Sequence, residues 1–77
     1  MASIKSVKTR DFRKALVVLG LEHKGTNGSH ERWSKKGMWR PVIFPNNKKE
    51  QKEVIVKSNL KTLDMTWEEF EEILDSL

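Results

Sequence analysis

Apolar residues recur at helical spacing near both ends of this sequence and in short strand-like runs between them, which limits the folds open to the chain. Side chains at positions 12, 15, 16 and 19 are apolar and lie three or four residues apart, so a helix over residues 9–19 would have one apolar face. We expect the Thr9 hydroxyl to cap its first turn. Gly20 stands where a left-handed residue commonly ends a helix. Residues 1–5 are expected to fray.

Three short segments after this helix are predicted to be strands. They are residues 21–24, 29–35 and 38–44. Residues 25–28 contain two glycines and are predicted to form a loop. Lys36 and Gly37 are expected to make a hairpin turn, because glycine readily adopts positive φ. The third segment is rich in β-branched and aromatic residues and is closed by Pro45, and residues 46–51 are a polar loop.

Two more helices are predicted after the polar loop. The first covers residues 53–63 and the second begins after Thr66, whose hydroxyl is expected to form a capping box with the Glu69 carboxylate. Their inner faces are expected to carry Val54, Ile55, Val56, Leu60 and Leu63, then Trp67, Phe70, Ile73, Leu74 and Leu77. The order is α-β-β-β-α with an added C-terminal helix. It predicts a single α+β domain over residues 5–77, in which helices cover one face of a three-stranded antiparallel sheet.

Charge is divided unevenly along the chain. All 15 Lys and Arg residues lie within residues 1–63, together with 5 of the 11 Asp and Glu residues, so this part has a net charge of +10. Residues 64–77 hold the other 6 acidic residues and no cation. The basic part indicates a polyanionic partner. The acidic terminal helix is expected to face away from that partner, or to meet basic residues of another protein.

Composition excludes several classes of protein. The chain has no cysteine, which excludes a disulfide framework, a thiolate zinc site and a cysteine nucleophile. Its apolar runs are far shorter than the ~20 residues that span a bilayer, and the N-terminus lacks the apolar core of a signal peptide. We therefore expect a cytoplasmic protein with no membrane partner. A chain of 77 residues has little room for a large cavity, so a ligand is expected on its surface.

Histidine is the residue type that exchanges protons near neutral pH, and the chain has two, His23 and His30. His23 lies within a predicted strand, where a half-exposed structural histidine is common. His30 ends the tripeptide Gly28-Ser29-His30 at the mouth of the glycine loop. This tripeptide, in its place in the α-β-β-β-α order, resembles the signature of the HicA family, small mRNA interferases of bacterial toxin–antitoxin modules.

The resemblance extends along nearly the whole chain. A helix ending at Gly20 precedes the signature, and Trp33 and a strand ending at Pro45 follow it. Residues 66–70 resemble the family's C-terminal Glu-Glu-Phe element. The resemblance implies a fold similar to double-stranded-RNA-binding domains, cleavage of RNA with the signature histidine His30, and neutralisation by a HicB-like antitoxin.

Two positions depart from the family pattern. Asn47 stands where family members often have a histidine two residues after the strand-ending proline, which removes a second catalytic or structural group. Arg32 stands where an aliphatic residue is common. A charge at that position is expected to alter the local strand register.

RNA chemistry gives an independent reason to single out His30. RNA is cut when its 2′-OH is deprotonated and attacks the adjacent phosphate, so a protein must supply a base, an acid and cations. His30 can be the base or the acid, and Ser29 can either contact a phosphate or cap the loop. The residues predicted to bind RNA are Gly28, Ser29, Lys24, Arg32, Lys35, Lys36 and Arg40, and a second basic group is Lys48, Lys49 and Lys52. No cofactor or metal is predicted, because no His, Asp and Glu cluster has ligand spacing, so cleavage is expected to be metal-independent. It is also expected to be slow, because the site has one histidine unless His23 reaches it.

Three other interpretations remain open. Trp33 and Trp39 can pack against the helices or cover the sheet, or they can stack on bases of single-stranded RNA. The chain can be a double-stranded-RNA-binding module without chemistry, in which case losing His30 would leave binding unchanged. It can also be an interaction protein, whose acidic helix or basic face binds another protein.

Overall fold

The protein is described by a computed structural model that covers residues 3–77. In chain order the elements are β1 (Val7–Lys8), α1 (Thr9–Val18), β2 (Glu22–Asn27), β3 (His30–Ser34), β4 (Val42–Pro45), β5 (Glu50–Gln51), α2 (Glu53–Leu63) and α3 (Trp67–Asp75). Strands β2, β3 and β4 form an antiparallel sheet in that order. The predicted α+β order with an added C-terminal helix is therefore confirmed. Part of the segment predicted to fray, residues 1–2, lies outside the described residues.

The core lies between the helices and one face of the sheet. Its centre is a trio of fully buried phenylalanines, one each from α1, β4 and α3. The Phe12 ring meets the Phe44 ring edge-on at 5.0 Å between centroids and lies 5.6 Å from the Phe70 ring. Because these residues are distant in sequence, their contacts join both ends of the chain to the sheet. We call the sheet face away from this core the outer face.

The helices confirm most of the periodicity argument. Helix α2 has the predicted bounds, and Val56 is fully buried. The capping box of α3 is present: the Glu69 N–H donates to the Thr66 hydroxyl at 3.2 Å, and the Thr66 N–H donates to the Glu69 carboxylate at 2.8 Å. The prediction was wrong for Val54, which is 70% exposed, and for Leu77, which is 48% exposed. These two residues lie at the ends of the apolar faces, beyond the reach of the core.

The predicted N-cap of α1 was also wrong. Lys8 occupies that position and makes no side-chain capping bond. The Thr9 hydroxyl instead donates to the Lys48 carbonyl and accepts a hydrogen bond from the Gln51 amide at 2.8 Å. The Thr9 N–H donates to the Lys49 carbonyl at 2.8 Å. Thr9 therefore fastens the start of α1 to the segment predicted to be a polar loop, part of which is β5 paired with β1.

The strands differ from the prediction in length. Strand β2 continues to Asn27 through residues predicted to be a loop, with an irregularity between His23 and Gly25. The predicted turn at Lys36 and Gly37 is present: the Met38 N–H donates to the Lys35 carbonyl at 3.2 Å, and Gly37 has a φ of +91°. Strand β4 starts only at Val42, however, so this turn lies within a seven-residue connection at residues 35–41 and does not join two paired strands directly. Two side chains in this connection donate hydrogen bonds to Thr62, near the end of α2. The Trp39 indole N–H donates to the Thr62 carbonyl at 3.3 Å, and the Arg40 guanidinium donates to the Thr62 hydroxyl at 2.8 Å. These bonds draw the connection towards α2 and away from β3.

The outer edge of β4 is covered by one side chain. The Asn59 amide donates to the Ile43 carbonyl at 3.0 Å, and its oxygen accepts from the Ile43 N–H at 3.3 Å. Asn59 is 4% exposed and pairs with the strand as a neighbouring backbone would. It therefore satisfies backbone groups that an edge strand otherwise leaves open.

Candidate active site

His30 lies on the outer face at one end of the sheet. Alternation along a strand predicts that His30 and Arg32 share one face and Glu31 and Trp33 the other. Strand β3 confirms this, because the first two residues are exposed and the other two are buried. His30 pairs with Asn27 of β2 on one side and with Pro45 of β4 on the other. Its imidazole is therefore presented to solvent between the end of β4 and the turn that joins β2 to β3.

That turn is made by Gly28 and Ser29. Gly28 has φ of +63°, in the left-handed region where glycine is favoured. No atom lies within 4 Å of the place where a Cβ would stand, so the turn is open on that side. The Ser29 carbonyl accepts a hydrogen bond of 2.6 Å from the Asn46 N–H. The signature is thus joined to the residue after β4, next to the exposed Asn47.

A buried charge network lies behind His30 on the core side of the sheet. The Glu31 carboxylate accepts hydrogen bonds from the Arg13 guanidinium, whose Nε lies 3.1 Å from each carboxylate oxygen. It also accepts a hydrogen bond from the Trp33 indole N–H at 3.0 Å. The hydrogen bonds from Arg13 hold the pKa of Glu31 below its usual value, although burial opposes this. The same pairing raises the pKa of Arg13. Because Glu31 is the next residue after His30, the network fixes the strand that carries the histidine.

His23 lies on the opposite face of the sheet from His30. It pairs with Trp33 across the two strands, and the rings are 5.5 Å apart between centroids. Its Nε2 lies 3.0 Å from the Thr26 hydroxyl. Directly paired residues point to the same face of a sheet, and Trp33 points to the core. His23 therefore cannot join His30 in one two-histidine site in this arrangement.

The cations predicted to bind RNA fall into two places. Arg32 shares the outer face with His30, and its guanidinium is 3.4 Å from where a Cβ of Gly25 would stand, so glycine leaves room for it. The pairing of β3 with β2 is irregular next to Arg32, whereas the pairing of β3 with β4 is regular.

The other predicted cations lie elsewhere. Lys24 is bonded to Glu22 at 3.1 Å. The Lys35 ammonium donates to the Leu19 carbonyl at 2.8 Å, and Lys36 follows it in the connection to β4. Lys24 lies at the irregularity in β2, between the residues that pair with Trp33 and Arg32. Lys35, Lys36 and Arg40, the last near the end of α2, lie beyond the end of β3 opposite His30. The structure therefore brings Gly28, Ser29 and Arg32 to His30, and leaves Lys24, Lys35, Lys36 and Arg40 apart from it.

The sequence patterns did not predict that a basic recess forms near His30. It has a volume of about 570 Å³ and is lined by Lys8, Thr9, Arg10, Arg13, Asn46, Lys48, Lys49 and Glu50. The sequence did single out Lys48 and Lys49, but it gave no sign that the start of α1 lies beside them. That contact depends on the β1–β5 pairing, and strands of two residues have no periodic pattern.

The two hairpin tryptophans have different roles in the fold. Trp33 is buried in the core, so its predicted packing role is confirmed. Trp39 is 71% exposed, and the Arg40 guanidinium lies 4.8 Å from its ring centroid. Trp39 is therefore held at the surface, in the connection between β3 and β4 and beside the end of α2.

Residues 3–77 contain no group of three or more His, Asp or Glu side chains arranged to hold a metal ion. Among the helices of the same residues, none is long and apolar enough to cross a membrane.

The fold and the site define a class: a small α+β domain similar to double-stranded-RNA-binding domains, with an exposed histidine beside a glycine turn. Residues 9–65 match the family described as HicA toxin of bacterial toxin-antitoxin. The chain therefore belongs to the HicA toxin family, and it is a toxin of a toxin–antitoxin system. Searches of curated proteins and of solved structures gave no significant match. Helix α3 lies outside the matched residues, so the resemblance of residues 66–70 to a family element stays a prediction.

Proposed function

We propose that this toxin is an endoribonuclease that cleaves mRNA in the cytoplasm, with His30 transferring a proton at the cleaved bond. The observation that supports this most directly is the position of His30. It is exposed on the outer face, beside an open glycine turn and on the same face as Arg32. A phosphate chain lying along this face can reach an imidazole, a guanidinium and backbone N–H groups together.

The proposed reaction uses the 2′-OH of RNA as the nucleophile. A base removes its proton, the 2′-oxygen bonds to the adjacent phosphorus, and the bond to the 5′-oxygen breaks. An acid returns a proton to that leaving oxygen, so the products are a 2′,3′-cyclic phosphate and a 5′-hydroxyl. His30 performs one of the two proton transfers, and Arg32 stabilises the added negative charge. Since His23 lies on the other face, water performs the remaining transfer, and the reaction is expected to be slow.

Expression of the chain in bacteria without an antitoxin tests this proposal. The wild-type chain should stop growth and shorten cellular mRNA, whereas His30→Ala should do neither at the same protein level. His23→Ala is the matched control, because it removes the other histidine from the opposite face. Growth arrest and mRNA loss that persist in His30→Ala would refute the role of His30.

The proposed protein partner is a HicB-like antitoxin that covers the outer face around His30. Family membership implies a cognate antitoxin in general. Co-expression of a HicB-like protein encoded beside the toxin should restore growth and protect His30 and Arg32 from solvent. Restored growth with both residues still fully accessible would show that neutralisation uses another surface.

A second candidate function is a double-stranded-RNA-binding module without chemistry. One observation favours it: the described residues place no second histidine near His30. Such a module would bind duplex RNA by shape, with equal affinity for the wild-type chain and His30→Ala, and no RNA would be cut.

A further inference from the structure

The basic recess between the start of α1 and the segment after β4 has the charge of a phosphate-binding surface. Five of its lining residues are cationic and one is acidic: Lys8, Arg10, Arg13, Lys48 and Lys49 against Glu50. The Arg13 charge is balanced by Glu31. Arg10 is only loosely paired, at 3.7 Å from Asp11 and largely exposed, so water screens that contact. The recess therefore keeps a clear excess of positive charge.

The recess lies on the helix side of the sheet, next to the end of the sheet that carries His30 on its outer face. His30 pairs with Pro45, and the following residue, Asn46, both bonds to the Ser29 carbonyl and lines the recess. Directly paired residues of antiparallel strands have Cα atoms about 4.5–5.5 Å apart. The recess therefore begins within roughly one residue of the partner of His30.

The Lys35–Lys36 pair lies at the other end of β3 from His30. Strand β3 runs from His30 to Ser34, which is four steps of about 3.3 Å, or about 13 Å, before Lys35 and Lys36 are reached. These two lysines form an adjacent pair with the same formal charge as Lys48 and Lys49. Lys48 and Lys49 differ in that they share a recess with other cations and with Asn46, which bonds to the Ser29 carbonyl next to His30.

The backbone beneath the recess is fixed. Thr9 bonds to the carbonyls of both Lys48 and Lys49 through its hydroxyl and its N–H, and it is itself 5% exposed. Lys8 lies in β1 and pairs with Glu50 of β5. The backbone that carries these lysines is therefore held in place before any ligand arrives, which lowers the entropy lost on binding.

We propose that this recess binds the phosphate backbone of the RNA strand next to the bond that His30 cuts, whereas the Lys35–Lys36 end of the sheet does not. This rests on the proposed function, because it extends the RNA path from His30 on the outer face, around the end of β4, to the recess on the helix side. Lysines contact phosphates without reading sequence. The recess accordingly supplies affinity and strand position, and does not select bases.

Paired substitutions with the same loss of charge test the inference. Lys48→Ala/Lys49→Ala removes two cations from the recess, and Lys35→Ala/Lys36→Ala removes two from the far end. Both are made in the His30→Ala chain, so that RNA stays intact, and thermal denaturation checks that each folds. Binding of a fluorescent single-stranded RNA is measured by anisotropy over a range of salt concentrations.

The recess variant should bind about tenfold or more weakly at low salt, and its slope of log affinity against log salt should fall by about 1.4, or 0.7 for each lost phosphate contact. The control should stay within about twofold of the His30→Ala chain. Equal weakening of both variants, or no weakening of the recess variant, overturns the inference.

The same substitutions in the chain with His30 intact separate the two proposals. Slower RNA cleavage in the recess variant alone supports both. Equal cleavage by the recess and control variants overturns the recess inference and leaves the proposed function standing. RNA binding that depends on the recess, without cleavage by any variant, supports the recess and refutes the nuclease.

Discussion

Replacement of Glu31 by glutamine tests whether the buried charge network holds the strand that carries His30. The carboxylate accepts from Arg13 and Trp33, so whichever way the glutamine amide turns, one of its N–H groups faces another donor. Breaking a buried ion pair costs about 3–5 kcal/mol, but the Arg13 side chain is 38% exposed and can regain water, so we expect about 2–3 kcal/mol. A domain of this size has about 4–12 kcal/mol in total. The midpoint of thermal unfolding should fall by about 8–24 °C.

Urea unfolding followed by tryptophan fluorescence measures this loss. The control is Glu22→Gln, which affects an exposed pair with Lys24 and should cost at most about 1 kcal/mol.

The dependence of folding stability on acid pH is a second test of the Glu31 ion pair. The pKa of Glu31 is lower in the folded chain than the usual 4.5, so the ion pair contributes fully above about pH 4.5, and its contribution is lost as the pH falls through the lower folded value. Glu31→Gln should lose less stability than the wild type over that range. A cost no larger than the control's, or an unchanged acid dependence, would refute the reasoning.

Three further predictions follow from single contacts and from the proposed reaction. Asn59→Ala should cost about 2 kcal/mol in urea unfolding, because the Ile43 backbone loses both partners, whereas the exposed Ser58→Ala should cost almost nothing. Thr66→Ala should cost about 1 kcal/mol through loss of the α3 capping box, and an unchanged midpoint would show that the cap adds no stability. RNA cleavage should continue undiminished in excess EDTA, because the proposed nucleophile is the RNA's own 2′-OH, and abolition by EDTA with recovery on added metal would contradict it.

Local patterns in the sequence were sufficient to predict the helices and the face of β3 on which His30 lies. Helix α2 has its predicted bounds because its apolar spacing and flanking polar residues act within a few turns. The α3 cap depends on residues only three apart. The period of two in β3 separated exposed His30 from buried Glu31 without reference to any other strand.

Features that depend on distant residues were not predictable in the same way. The β1–β5 pair joins residues 42 and 44 positions apart through strands of two residues, and it brings the start of α1 to Lys48 and Lys49. Nothing near Arg13 in sequence indicates Glu31 as its partner. The turn at Gly37 formed as predicted, but β4 begins only at Val42, because residues 39–40 bond to distant α2.

Cleavage of a defined RNA by the purified protein tests the central claim most directly. Rates are measured under single-turnover conditions for the wild-type chain, His30→Ala and His23→Ala. We expect His30→Ala to be about 10²–10⁴ times slower, as for the loss of one positioned acid or base, and His23→Ala to be close to wild type. Cleavage by His30→Ala at the wild-type rate, or a larger loss in His23→Ala, would contradict the assignment of His30 as the catalytic histidine.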